Sequence, residues 1–431
     1  MANTQLSQSG TSPPNTNSRQ KWTFSFWIKR TKLGTEQCVW TTRTNGSNNH
    51  LFRFNANNTF TFKGAASGSD IMNLVSNRVF KDTAAWYHFV LAVDSTQGTA
   101  SNRARVYVNG SEITSYGTAD YGAQNENFEI NEQGNQPFYI GSESSQNYFD
   151  GLMSYFAFVS GKQELPTIFG ETDSTTGEWK IKTTITPSSG WGTNGFFILK
   201  NGNSVTDQSG NSNNFQVAAG TLTNLKDNPS DNFCSMNHLY YQTGGEGVVI
   251  NNCGNTVYYA ANASRSVFGS FAPSSGKYYF EAKVFSGTGT VVIGIMNMAW
   301  SDLNKASGYA FHDNALNFGY NVSGQKTSGG TNTAYGANIA DNDIIGVAMD
   351  LDNSKLYFSV NGAFQGSGVP TSGASGTNAA FTLASGANYT AACRLRNGTQ
   401  VGFNFGNGQY SGSNLVTTNS GDGYSGAEGS S

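Results

Sequence analysis

The sequence predicts an all-β chain made of two tandem antiparallel β-sandwich domains. The same supersecondary unit is written twice, about 250 residues apart. The first copy is Trp86-Tyr-His-Phe-Val-Leu-Ala-Val-Asp94, a polar loop, then Arg105-Val-Tyr-Val-Asn-Gly110. The second is Asp343-Ile-Ile-Gly-Val-Ala-Met-Asp-Leu-Asp352, a turn, then Lys355-Leu-Tyr-Phe-Ser-Val-Asn-Gly362. Alternation of period two puts Phe89, Leu91 and Val93 on one face in the first copy, and Ile345, Val347, Met349 and Leu351 in the second, the mark of half-buried strands. Both copies end on Asn-Gly, the dipeptide that best accepts the positive φ angles of a two-residue type I′ hairpin. Nothing between the copies reads as a helical crossover.

The remaining elements follow in chain order. Residues 1–20 form a polar arm containing Pro13-Pro14, too polar to fold alone, so order there requires contact with another subunit. From Trp22 onward, Trp22, Phe24, Phe26 and Ile28 alternate with Thr23, Ser25, Trp27 and Lys29. Short strands are expected at 51–54, 59–63, 138–141 and 151–160, spaced by Gly/Asn turns as in a sandwich or jelly roll. Residues 165–235 are a long connector that should pack onto a neighbour. It holds two short strands, 196–200 and 215–218, around the turn Asp207-Gln-Ser-Gly-Asn-Ser-Asn-Asn214. The second domain, residues 226–410, has strands from about Val248, at 277–284, 291–295, 316–320, the second meander, 389–395 and 401–406. Residues 411–431 are a Gly/Ser-rich tail, flexible or ordered by a partner.

Composition narrows the function classes. Charged residues are only 12% and aromatics reach 13%, against roughly 25% charged in ordinary soluble chains. Such Asn, Ser, Thr, Gly and Tyr-rich loops favour adaptable hydrogen bonding and ring contact. A net charge of -3 without a basic run argues against nucleic acid and anionic lipid as partners. No apolar stretch nears the ~20 residues of a membrane span. The first residues lack the basic start and apolar centre of a secretory signal. Cys38, Cys234, Cys253 and Cys393 show no CxxC spacing, so free thiols are expected.

Two family resemblances rest on ordered strings. Residues 22–160 resemble a laminin-G-like, concanavalin-like jelly roll through Trp22-Thr-Phe-Ser-Phe-Trp-Ile-Lys29, Trp86 to Asp94, Val106-Tyr-Val-Asn-Gly110 and Phe149-Asp-Gly-Leu-Met153. That domain is bounded at 21–225. Residues 277–406 resemble a SPRY domain through Tyr278-Tyr-Phe-Glu281, Ile293-Gly-Ile295, the second meander and Asn404-Phe-Gly406. The whole arrangement, with Phe169-Gly-Glu-Thr172, Thr193-Asn-Gly-Phe-Phe197 and Asp231-Asn-Phe-Cys234, is similar to virion appendage proteins of tailed bacteriophages. In ordinary laminin-G-like jelly rolls a strand, an Asp-x-Ser-Gly-Asn turn and a second strand come first. Here the matching segment, 195–219, comes after the domain, which implies a circular permutation in which it folds back to complete the first sandwich.

The chemistry-bearing residues are sparse. Glu126, Glu129 and Glu132 have odd spacing, so neighbouring members would face opposite sides of a strand, whereas paired glycosidase carboxylates share a face. Asp350 and Asp352 have the right spacing, but Asp352 stands at a hairpin mouth. His50, His88, His238 and His312 form no HxH or HExxH pattern. Asp207 is the one candidate metal ligand, for calcium, with an Asx-turn as the structural alternative. The SPRY resemblance implies ligand contact through loops at one end of the sandwich, pointing to Trp300, Tyr309, His312, Tyr320 and Tyr335. The resemblance to phage appendage proteins implies a non-enzymatic virion structural protein, a tail fibre or surface appendage, and these sparse chemical features call for no cofactor. It would be made in the host cytoplasm and released by lysis. Its partners would be other virion proteins and a host-surface glycan or protein, in a homo-oligomer, with a trimer preferred. A head-decorating fibre, a polysaccharide-degrading enzyme of concanavalin-like fold and a cellular lectin are the alternatives.

Overall fold

A computed structural model describes residues 3–8, 16–45, 47–131, 137–200, 202, 204–241, 247–251, 254–287, 289–300 and 310–406. Glu132, Cys253, Tyr309 and the tail 411–431 lie outside the described residues. The chain divides into two compact units, residues 1–224 with 228–232, and residues 225–227 with 233 onward. Among the described residues the one α-helix is the five-residue Thr16–Gln20, and no helix is long and apolar enough to cross a membrane.

The first unit is two antiparallel sheets face to face. One has eight strands in the order Tyr116–Asp120, Ser69–Ser76, Phe60–Ala66, Asn48–Phe54, Gln37–Asn45, Phe138–Ile140, Gln5–Gln8 and Gln216–Ala219. The other runs Phe196–Ile198, Gly151–Ser160, Lys21–Arg30, Trp86–Asp94, Ala104–Val108 and Ser111–Glu112. Period-two alternation sends Trp22, Phe24, Phe26 and Ile28 into the core with Phe89, Leu91 and Val93. Rings dominate that core: Phe24 stacks on Trp40 at 4.2 Å and Phe26 on Phe156 at 5.2 Å.

The polar arm requires correction. Gln5–Gln8 is a strand inside the eight-stranded sheet, paired with Phe138–Ile140 on one side and Gln216–Ala219 on the other. Leu6 is 2% exposed in the core, and Gln5 Nε2 donates to Ser142 Oγ at 2.7 Å. Order in this strand therefore comes from the chain itself, because both rows of backbone groups find partners within the unit. The first unit consequently begins well before residue 21.

Segment 195–219 places one strand in each sheet of the same sandwich. Phe196–Ile198 pairs with Gly151–Ser160, Phe158 opposite Phe196, while Gln216–Ala219 pairs with Gln5–Gln8. The rest of the connector covers the outer face of the six-stranded sheet. There Val90, Ala92, Tyr107, Ala157 and Val159 pack against Phe169 and Phe197, flanked by Ile185 and Trp191. A hairpin of Gly170–Thr172 and Trp179–Ile181 lays the Trp179 ring over Gly110. A Cβ at Gly110, where φ is +79°, would lie 2.5 Å from the indole, so only glycine fits.

The second unit repeats the plan. A seven-stranded sheet runs Met236–Tyr241, Arg265–Gly269, Tyr389–Leu395, Val292–Asn297, Phe318–Asn321, Gln325–Ser328 and Thr331–Ala334. The facing sheet runs Val249–Asn251, Thr256–Tyr259, Thr399–Asn404, Lys277–Ser286, Ile344–Asp350, Lys355–Val360 and Ala363–Phe364, with Phe381–Thr382 added beside Lys355–Val360. Ile293, Ile295, Ile345, Val347 and Phe358 lie in its core. The repeated meanders close alike. Asn109 N donates to His88 O and Asn109 Oδ1 accepts from His88 N; Asn361 N and Oδ1 make the same pair of bonds to Ile344. Both Asn-Gly pairs have positive φ and join strands two residues apart, as the type I′ signal requires.

Candidate binding surface

Strand register decides which loops of the second sandwich lie together. In the seven-stranded sheet Ile295 faces Phe318 and Asn297 faces Tyr389 at one end, while Val292 faces Asn321 and Arg394 at the other. The first end therefore gathers the loops around 270–276, 298–300, 310–317 and 384–388. Amide bonds knit these loops. Met298 N donates to Asn388 O at 2.9 Å, and Asn388 Nδ2 donates to Ala272 O at 2.7 Å. Asn317, fully buried, accepts from Asn297 N through Oδ1 and donates to Phe311 O through Nδ2.

Of the five residues favoured by the sequence, the four described ones do not converge. Trp300 is 3% exposed and packs edge-on against Phe268, ring centroids 5.9 Å apart. With Phe311 it covers an apolar patch of Phe268, Val292, Met296 and Ala392 on the outer face of the sheet. The expectation of a ligand-facing indole is thus corrected: burying this ring against the sheet's outer apolar face removes it from solvent. His312 lies beside Phe311, also buried, with Nε2 3.9 Å from Asp313 Oδ1. Burial lowers its pKa to about 4, Asp313 opposing the shift and Arg394 reinforcing it. Tyr320 is fully buried, its ring on Phe358 at 5.5 Å and its hydroxyl donating to Ala337 O, so it too is corrected from loop residue to core residue. Burial first, then Tyr335, raise its phenol to about 12. Tyr335 is half-buried 6.3 Å away, donates to Asn378 O at 3.1 Å, and carries Lys326 Nζ 5.3 Å from its ring. Trp300 and His312 therefore belong to one outer face, Tyr320 and Tyr335 to another part of the sandwich, and Tyr309 lies outside the described residues.

What the knitted loop end does expose is three large apolar side chains: Phe271 at 41%, Met298 at 40% and Leu316 at 43%. They stand among amide side chains, Asn314 and Asn388, already committed to holding the loops. None of the three was among the loop residues singled out from the sequence. Apolar residues isolated in polar loop stretches were the available signal.

Asp207 does not fit calcium. Oδ1 accepts from Phe197 N and Ser209 N, each at 2.8 Å; Oδ2 accepts from Ser209 Oγ at 2.7 Å and Asn213 N at 2.9 Å. The neighbouring Gly195 carbonyl accepts from Ser209, Asn211 and Asn213 side chains. Oxygens whose lone pairs already accept from N–H and O–H donors have none directed at a cation, and the surrounding hydrogens repel one. The residue organises the turn that positions 196–198.

The other ionisable candidates are likewise committed. Asp350 bonds Asn353 N and Nδ2, and Asp352 Oδ1 accepts from Gly276 N at 2.7 Å. His88 lies between Trp27, stacked at 4.6 Å, and Trp179 at 6.0 Å. Its Nδ1 accepts from Trp179 Nε1 at 2.9 Å, so its proton sits on Nε2, which donates to Ser25 Oγ at 2.8 Å. That tautomer cannot deprotonate Ser25, and the contact is structural. Cys38 and Cys393 are free thiols, and burial pushes both well above the ordinary thiol range.

Comparison with known families gives two matches. Residues 4–163 match the family model of the concanavalin A-like lectin/glucanases superfamily, and residues 277–408 match that of the SPRY domain. Comparison with curated protein sequences finds no match. Among solved structures the chain is similar to the SPRY domain of human HERC1, with 13% identity and a TM-score of 0.30 over 39% of this chain and 96% of that one. It is also similar to a human SPRY domain, with 15% identity and a TM-score of 0.30 over 38% and 97%. A third likeness is to stonustoxin, with 10% identity and a TM-score of 0.31 over 40% and 27%.

Proposed function

We propose, for a chain that joins a concanavalin-like jelly roll to a SPRY domain, a non-enzymatic role in adhesion, as a surface appendage of a tailed-phage virion. The second sandwich would recognise a host-surface glycan or protein through the loop end that carries Phe271, Met298 and Leu316. One observation carries this reading: a loop end fixed by internal amide bonds that nonetheless leaves three large apolar side chains in solvent. Fixed loops lose little entropy on binding, and exposed apolar groups set among amides suit a sugar face or a peptide edge. Support for a non-enzymatic role comes from Asp207, Asp350, Asp352 and His88, whose polar atoms are used inside the fold. The two sandwich matches favour recognition, and the likeness to phage appendages supplies the setting.

The test is immunogold electron microscopy of phage lysates containing this chain, with antibody raised against residues 233–406. Gold at a fixed place on intact particles is the expected result. Gold confined to particle-free protein would remove the virion role.

A further inference from the structure

Unpaired polar atoms gather at one end of the first sandwich's core. His50, Thr42, Trp22 and Trp40 are fully buried. Both ring nitrogens of His50, Thr42 Oγ1 and both indole Nε1 atoms have no hydrogen-bond partner among the described residues. They share one neighbourhood. Thr42 faces His50 directly across the strand pair. The His50 and Trp22 rings each meet Phe128 edge-on, both at 5.7 Å, and Trp22 and Trp40 each meet Phe62 edge-on, at 5.8 and 6.3 Å. The imidazole lies where a side chain at position 64 would be: a Cβ on Gly64 would come within 2.7 Å of His50 Cδ2. Glycine there makes room for a polar ring in an otherwise aromatic interior.

Buried polar groups in folded proteins are nearly always hydrogen-bonded, to protein or to ordered water. Leaving this set dry would forfeit free energy comparable to a domain's whole stability. We propose that this end of the jelly-roll core is an internal hydration site, holding at least two ordered waters between His50, Thr42 and Trp22. The number follows from the imidazole: its two nitrogens point apart, so one water cannot serve both. The chemistry matches, because Trp22 only donates, a neutral imidazole offers one donor and one acceptor, and the threonine hydroxyl does either. Water is the ligand class because all four side chains are sealed from solvent, which excludes anything the size of a sugar. The site is independent of the proposed binding surface and stands or falls separately.

A high-resolution crystal structure of the full chain tests it, with hydroxyl and imidazole partners read from the refined waters. Two or more ordered waters within hydrogen-bond distance of His50, Thr42 or Trp22 are expected; continuous apolar packing around the imidazole would overturn the proposal. A second measurement needs no crystal. His50→Leu should lower the first unit's melting temperature, because it strands the waters that also serve Thr42 and Trp22. If the ring is dry, the same substitution removes an unpaired polar group and raises the melting temperature, overturning the proposal. Should His50→Leu fail to fold, magnetisation transfer from water to the Trp22 indole N–H in unsubstituted protein decides: transfer is expected, and its absence contradicts the site.

Discussion

At the scale of single residues, three histidines carry the pH response. His50 and His88 have pKa values lowered to about 3 by burial, and His312 to about 4, chiefly by burial. Because the folded values lie below the unfolded value of roughly 6.5, their contribution is complete above that pH. It is lost progressively as pH falls from there toward the folded values, since the unfolded chain binds the protons. At pH 5 each costs about 2 kcal/mol. Most carboxylates titrate below roughly pH 4.5, so the window from pH 7.5 to 5 isolates the histidines. Two of these three, His50 and His88, sit in the first unit, so melting at both pH values should show that unit losing about 4 kcal/mol; identical melts at the two pH values would contradict these assignments. The same scale shows why Trp300 and Tyr320 were misplaced from sequence. Both follow or precede loop stretches, and only the register of neighbouring strands reveals that one ring covers an outer sheet face and the other enters the core. Asp207 was placed correctly in its turn, and the Asx-turn alternative describes its bonding.

Among the elements, the meanders were legible because their signal is local. Alternation fixes the buried face, and Asn-Gly fixes the hairpin. The strand Gln5–Gln8 was not legible, since Gln-Leu-Ser-Gln has one apolar residue and its order depends on partners about 135 and 210 residues away. Segment 195–219 was legible only through its displaced motif. Its contribution to the first core can be measured. Phe196 is fully buried against Phe138, Phe156 and Phe215, so Phe196→Ala should cost about 3–5 kcal/mol. Calorimetry of the full chain should show the first unit's transition lowered and the second's unmoved. A loss shared equally by both transitions, or by neither, would mean that this strand does not belong to the first sandwich alone.

For the whole molecule, the architecture is two self-contained sandwiches with separate cores, and the proposed work of the chain is recognition. Fold class was readable from repeated local patterns. The proposed binding surface was not, because it arises where loops distant in sequence are tied by Asn297, Asn317 and Asn388. The most direct measurement of the central claim is adsorption of fluorescently labelled full chain to the host bacterium of the proposed phage, alongside a Phe271→Ala, Met298→Ala, Leu316→Ala triple variant. Exposed side chains contribute little to folding, so melting should shift by no more than about 1 kcal/mol equivalent. Adsorption should fall at least tenfold, the equivalent of about 1.4 kcal/mol. A variant that melts like the parent and adsorbs equally well would contradict recognition by this loop end.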